Sequence, residues 1–233
     1  MTHPSIRVVV FDAYGTLLDI HAAMARHADR LGPDWQRISA DWRAKQLEYS
    51  WVRSLAGPSH HRDFWRLTQE ALAWTASRHG ITDPTLLADV LLAYRHLDAY
   101  AEVAVVLRHL RDAGLSRAIL SNGEPGMLRD AVTHAGIDHI LDAVLSVEAA
   151  GVFKPDPRVY RLAGAHFGLA GSQMAFVSSN PWDAFGAHAF GFRVFWLNRA
   201  GAPREYDLGS HVTEIADLSA LPRLLAAPFG HTH

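Results

Sequence analysis

The apolar and polar positions of the chain fall into a strand-like start, a long helical stretch and an alternating remainder. Ile6-Arg7-Val8-Val9-Val10-Phe11 is a β-branched apolar run that stops at Asp12, with Gly15-Thr16 just beyond. That pattern predicts a buried strand feeding a tight loop. From Leu18 to about Leu97 the apolar spacing becomes helical and no strand-like segment occurs. Gly32-Pro33, Gly57-Pro58, Gly80 and Asp83-Pro84 cut this stretch into about four helices. Strand-like runs return at 117–121, 143–146, 174–178 and 193–197, with helical stretches between them.

Alternating strands and helices need crossover connections, and so a mostly parallel sheet with helices on both faces. The all-helical block interrupts this arrangement after the first strand. The expected organisation is therefore a doubly wound α/β core split over 1–17 and 98–233, with a helical cap, 18–97, inserted between. In such sheets ligands sit outside the carboxyl ends of the strands. Those ends are polar here: Asp12, Ser121-Asn122-Gly123, the loop carrying Lys154-Pro155, and Ser178-Ser179-Asn180-Pro181-Trp182-Asp183. A polar residue at a strand end commonly caps the next helix. Together, however, these ends bring a nucleophile, hydroxyl and amide donors, a cation and a second carboxylate to one edge of the sheet.

Composition narrows the function classes. Of 233 residues, 49% are apolar and 20% charged, the range of a folded globular chain. The formal charge of −2, with both signs interleaved, gives no footprint for nucleic acid or anionic lipid. The lack of cysteine excludes disulfides, thiol catalysis and thiolate metal sites. Met1 to Arg7 lacks a basic and then apolar leader, and no run approaches the roughly 18 apolar residues of a membrane span. Cytoplasm is the expected location. The 15 histidines are scattered without HExxH-type pairing, so no metal site is expected from them, and His60 and His61 read as loop residues.

The blocks Phe11-Asp12-Ala13-Tyr14-Gly15-Thr16-Leu17, Trp42-Arg43-Ala44-Lys45-Gln46, Leu120-Ser121-Asn122-Gly123, Lys154-Pro155-Asp156-Pro157-Arg158-Val159-Tyr160 and Ser178-Ser179-Asn180-Pro181-Trp182-Asp183 span nearly the whole chain. In content, order and approximate spacing they resemble the haloacid dehalogenase-like superfamily, and within it the L-2-haloacid dehalogenase branch. The resemblance implies a Rossmann-like core with a helical cap. It also implies hydrolysis of short (S)-2-haloalkanoic acids to (R)-2-hydroxy acids with inversion at C2, no cofactor or metal, and a homodimer.

On that resemblance Asp12 is the nucleophile, held ionised by Lys154 and steadied by Thr16. Asp183, oriented by Ser178 and Asn180, assists the water that opens the ester, a task Lys154 is also placed to share. Ser121 and Asn122 supply donors for the substrate carboxylate, and Tyr160 bonds within the site. Arg43 receives the halide, against the simpler reading of a solvated helix cation. Tyr14, Leu47, Phe64 and Trp182 form apolar walls, although an aromatic in a helix is more often core. Leu47, Trp51 and Leu55 at fourfold spacing read as a core-facing stripe or a dimer face.

Related phosphatases usually carry an acid at the position of Tyr14 to protonate an alkoxide, and another at the position of Ser179 beside magnesium. A halide leaves without a proton, so Tyr14 suits dehalogenation. The competing readings are a magnesium-dependent phosphatase, with Asp12, the Tyr14 carbonyl and Asp183 as oxygen ligands, and a hydrolase that opens a strained-ring 2-carboxylate. Ala44, where relatives commonly carry a larger polar side chain, and the loop Gly57-Pro58-Ser59-His60-His61 depart from the branch and bear on chain length and halogen preference, including fluoroacetate.

Overall fold

A computed structural model describes residues 5–226. Residues 1–4 of the segment read as lacking a leader, and the outer bounds of the proposed core at 1 and 233, lie outside them. A six-stranded sheet in the order β3-β2-β1-β4-β5-β6 forms the core. Its strands are β1 (Val8–Phe11), β2 (Ser116–Ser121), β3 (Ala143–Ser146), β4 (Met174–Ser178), β5 (Arg193–Leu197) and β6 (Val212–Ile215). Every pairing is parallel, with Val10 of β1 opposite Ala118 of β2 on one side and Phe176 of β4 on the other. β1, β2 and β4 bury almost every residue, as strands covered on both faces do. Strand order reverses between β1 and β4, which makes their carboxyl ends the natural ligand crevice.

β6 escaped the sequence reading because only Val212 and Ile215 are buried in it, too short and too polar an edge strand to register. Between β1 and β2 lie α1 (Ala22–Ala25), α2 (Ala28–Leu31), α3 (Trp35–Ala56), α4 (Phe64–His79) and α5 (Pro84–Arg95), followed by α6 (Val103–Asp112). The two ends of this helical block meet where Leu18 bridges Ala99 in antiparallel fashion. α7 (Pro125–His134), α8 (Pro157–Phe167) and α9 (Pro181–Phe190) follow β2, β3 and β4, and α10 (Leu221–Ala226) ends the described chain.

Each of α7, α8 and α9 starts with proline at its first position, which fixes φ and removes an N–H that would go unpaired there. Glu124 and Asp156 cap α7 and α8 through their carboxylates. The polar-proline pairs that close the strands thus also start the helices.

The buried face of α3 is Ile38, Trp42, Gln46 and Ser50, turned onto α4. The Leu47/Trp51/Leu55 stripe therefore does not face the core: Leu55 is 89% exposed. That inner face mixes the apolar Ile38 and Trp42 with the polar Gln46 and Ser50, while Leu47 and Trp51 are half-buried at its margin. Ala44 is likewise exposed, so it lies away from the interior. His60 is exposed at the end of a short 3-10 turn, and His61 is a half-buried loop residue whose Nε2 meets Glu148 at 2.9 Å and whose ring lies 5.1 Å from Phe153, joining the helical block to the core.

α8 and α9 approach closely at Gly186, where a Cβ would stand 2.5 Å from the Tyr160 hydroxyl and 2.7 Å from Pro155. Gly186→Ala is expected to cost about 1–3 kcal/mol of stability, as an overpacked interior does, measured as a shift in the urea midpoint.

Candidate active site

Asp12 is the first residue beyond β1, and its N–H still donates to Val177 of β4 at 2.9 Å, which fixes its backbone at the crevice. The residue is buried, with 5% of its surface exposed. Oδ1 faces the Lys154 Nζ at 3.2 Å. Oδ2 accepts from the Thr16 hydroxyl at 3.2 Å and from Asn180 Nδ2 at 3.0 Å. Thr16 is itself located by the Ser179 N–H, which donates to its Oγ1 at 2.9 Å.

Lys154 is fully buried, and its ammonium also donates to Asp183 Oδ2 at 2.8 Å. The backbone N–H of Lys154 donates to Asn122 Oδ1 at 3.0 Å, and the ring of Phe176 lies 4.9 Å from Nζ. Asp183, in the first turn of α9, is also fully buried, and its Oδ1 accepts from the Tyr160 hydroxyl at 2.7 Å. Burial pushes the Asp183 carboxyl above its ordinary range, with Lys154 opposing the rise. Burial and the adjoining carboxylate keep the Tyr160 phenol protonated, and therefore a donor. One buried ammonium is thus shared by two buried carboxylates, and each carboxylate is further held by neutral donors.

Of the residues expected here, Asp12, Thr16, Lys154, Tyr160, Asn180 and Asp183 join in one hydrogen-bonded group. The expected orientation of Asp183 by Ser178 and Asn180 is corrected. The Asn180 side chain holds Asp12, Ser178 Oγ accepts from the Asn180 N–H, and Asp183 is held by Lys154 and Tyr160. The reason is local: a residue in the first turn of α9 points back over β4, towards α8 and Lys154. Ser121 Oγ accepts from the Gly123 N–H at 3.1 Å and so shapes its own loop, while Asn122 anchors Lys154.

The helical block supplies the opposite wall. Tyr14 and Phe64 are buried with ring centroids 6.5 Å apart, and Phe64 lies 5.9 Å from Phe153. Leu47 is half-buried on α3. Trp182 packs edge-on against Trp51 at 5.5 Å, and both line an apolar cavity of about 460 Å³ with Phe153 and Leu55. Arg43 is half-buried, with Nη1 3.4 Å from Gln46 Oε1.

The sequence reading did not single out Tyr94, which stacks on Tyr14 at 5.6 Å and donates to Gln46 Oε1 at 3.1 Å. Gln46 lay within a quoted block but received no role. The available signal was a glutamine on the face of α3 that also carries Ile38 and Trp42, since a buried amide needs partners.

A buried carboxylate paired with a buried lysine and a second buried carboxylate, at the switch point of a parallel sheet, is an arrangement suited to a hydrolase. The chain belongs to the haloacid dehalogenase-like hydrolase family, whose model matches residues 6–191. It is 44% identical to (S)-2-haloacid dehalogenase 4A of Burkholderia cepacia, over 95% of this chain and 96% of that protein. It is also 44% identical to (S)-2-haloacid dehalogenase 1 of Pseudomonas sp. strain CBS-3, over 94% and 96%. A solved crystal structure of a dehalogenase with intermediate complex superposes with a TM-score of 0.92 at 42% identity, covering 96% of this chain and 99% of that one.

Lys154→Met should leave two buried carboxylates uncompensated. The expected loss is about 3 kcal/mol or more at neutral pH, seen by urea unfolding. The deficit should shrink as pH falls towards the ordinary carboxylate pKa, because protonation then removes the uncompensated charge.

Proposed function

We propose that this chain is an (S)-2-haloacid dehalogenase in which Asp12 is the nucleophile, and that the helical block acts as its cap over a core of 1–17 and 98–233. The observation that carries the reading is Asp12 fixed on both oxygens, by Lys154 on one and by Thr16 and Asn180 on the other. An Asp12 oxygen attacks C2 from behind the carbon–halogen bond, and the bonding pair leaves with the halide. C2 inverts once, and an ester joins it to Asp12. Water then adds to the ester carbonyl carbon, and the C–O bond to Asp12 stays with the hydroxy acid when the carbonyl–oxygen bond breaks.

The water must lose a proton and the departing hydroxy acid oxygen must gain one, so the base passes on to that oxygen the proton it takes. An ammonium has no acceptor, and Lys154 is committed to two carboxylates, so the geometry favours Asp183 as the base. The substrate carboxylate falls to donors of the Ser121-Asn122-Gly123 loop, and Arg43 receives the halide. Leu47, Phe64 and Trp182 enclose the alkyl part. Solvent exclusion by the cap strengthens each of these charge contacts.

The residues do not fit a resident divalent cation. The Lys154 ammonium lies between the two carboxylates that would ligate a cation, and Ser179, where an acid would be needed, offers only a neutral hydroxyl that accepts from Thr16 at 3.2 Å. Tyr14 is a far weaker acid than the carboxylic acid a phosphatase carries there, because burial holds its phenol well above its ordinary pKa. Both features weigh against the phosphatase reading. A homodimer is proposed from the exposed apolar residues Val52 and Leu55 on the outer side of α3. Among the described residues no helix is long and apolar enough to cross a membrane.

Halide release from racemic 2-chloropropionate with EDTA present is expected to stop when half is consumed. Phosphate release from p-nitrophenyl phosphate with magnesium, and no halide, would overturn the reading. Asp12→Asn should retain the fold and lose halide release by a factor of about 10⁴ or more, as loss of a covalent nucleophile does. For the second step, activity should fall as pH drops through the raised Asp183 pKa, since the protonated acid no longer accepts a proton. Asp183→Asn should accumulate the Asp12 ester, visible by mass spectrometry.

A further inference from the structure

Tyr14 is 2% exposed, and its hydroxyl has no hydrogen-bond partner among the described residues. A buried donor left unpaired costs free energy, so an orphan two residues along the chain from Asp12 requires an explanation. The ring has little freedom to turn elsewhere. It stacks on Tyr94 with planes 6° apart, and a Cβ on Gly123 would stand 2.9 Å from Tyr14 Cε2, so the Gly123 backbone already lies close against that ring edge.

The neighbouring acceptor is already used. Thr68 donates its hydroxyl to the Phe64 carbonyl at 2.8 Å, so towards Gln46 it acts as acceptor, taking the amide N–H of Nε2 at 3.3 Å. That fixes the Gln46 amide with Oε1 facing Tyr94, at 3.1 Å, and Arg43, at 3.4 Å. Tyr94 spends its hydroxyl there, and Tyr14 is left with a proton and nothing to receive it. Among the cations around the Tyr14 phenol, Arg43 acts on it most strongly, and burial holds it protonated.

We propose that the Tyr14 hydroxyl, hitherto read only as part of an apolar wall, donates a hydrogen bond to the departing halide beside Arg43. The proposal rests on the dehalogenase reading. As an Asp12 oxygen bonds to C2, the carbon–halogen pair moves to the halogen, and the growing charge accepts from Tyr14 Oη–H and from Arg43. The phenol keeps its proton, and no further reactant is needed. Such a donor does little for a neutral carbon–halogen bond and much for a halide, so it acts on the transition state.

Tyr14→Phe removes only the hydroxyl. In kcat/KM, which reports carbon–halogen cleavage, chloroacetate should fall about tenfold or more and bromoacetate about threefold, because bromide is the weaker acceptor and better leaving group. Inhibition by added chloride should weaken alongside. The Tm of the free variant should be unchanged or higher, since an orphan donor is deleted. Equal losses for both halogens, no loss, a lowered Tm or failure to fold would each overturn the proposal. A parent enzyme that released no halide would instead refute the dehalogenase reading.

Discussion

The buried Lys154 ammonium, shared between Asp12 and Asp183, is the interaction on which the rest of the site depends. Carboxylates removed from water are costly unless paired, and Asp183 is fully buried. A single cation serves both, which in the proposed mechanism leaves one as nucleophile and the other as base. The neutral donors around them, Thr16, Asn180 and Tyr160, add directional bonds without adding charge. Each carboxylate is thereby held on both oxygens, so the site is ordered before substrate arrives.

The fold assembles these groups from distant parts of the sequence. Asp12 follows β1, Lys154 follows β3, and Asp183 opens α9 after β4, so the parallel sheet alone brings their backbones to one edge. The helical block adds what the sheet lacks: aromatic walls at Phe64 and Tyr94, and Arg43 with its Gln46 partner. Ser54 Oγ, which accepts from the Phe153 N–H at 3.1 Å, and the His61–Glu148 contact tie that block to the loops of the core. Charge chemistry thus sits on the sheet side and enclosure on the helical side.

Much of this was legible in sequence because strand ends are legible. A β-branched run stopping at Asp12, and the returning runs before Ser121 and Ser178, locate both the sheet and its functional edge. β6 was missed because its inner and outer residues leave only a half-polar tetrapeptide. Partnerships within the site were less legible. Asn180 and Asp183 stand three residues apart, yet one turns to Asp12 and the other to Lys154, a choice made by the start of α9. Tyr94 and Gln46 were invisible as a pair because their contact joins helices 48 positions apart. For Leu47, Trp51 and Leu55 the sequence left a core stripe and a dimer face both open, because helical spacing identifies a face without saying what covers it.

The central claim is that oxygen reaches the product from Asp12 and not directly from water. A single turnover of (S)-2-chloropropionate with excess enzyme in ¹⁸O-water tests it, with the product and the peptide bearing Asp12 both weighed. The account predicts unlabelled hydroxy acid in that first turnover and ¹⁸O in the Asp12 carboxylate. Labelled product with an unlabelled Asp12 would mean that water attacks C2 directly, and would contradict it.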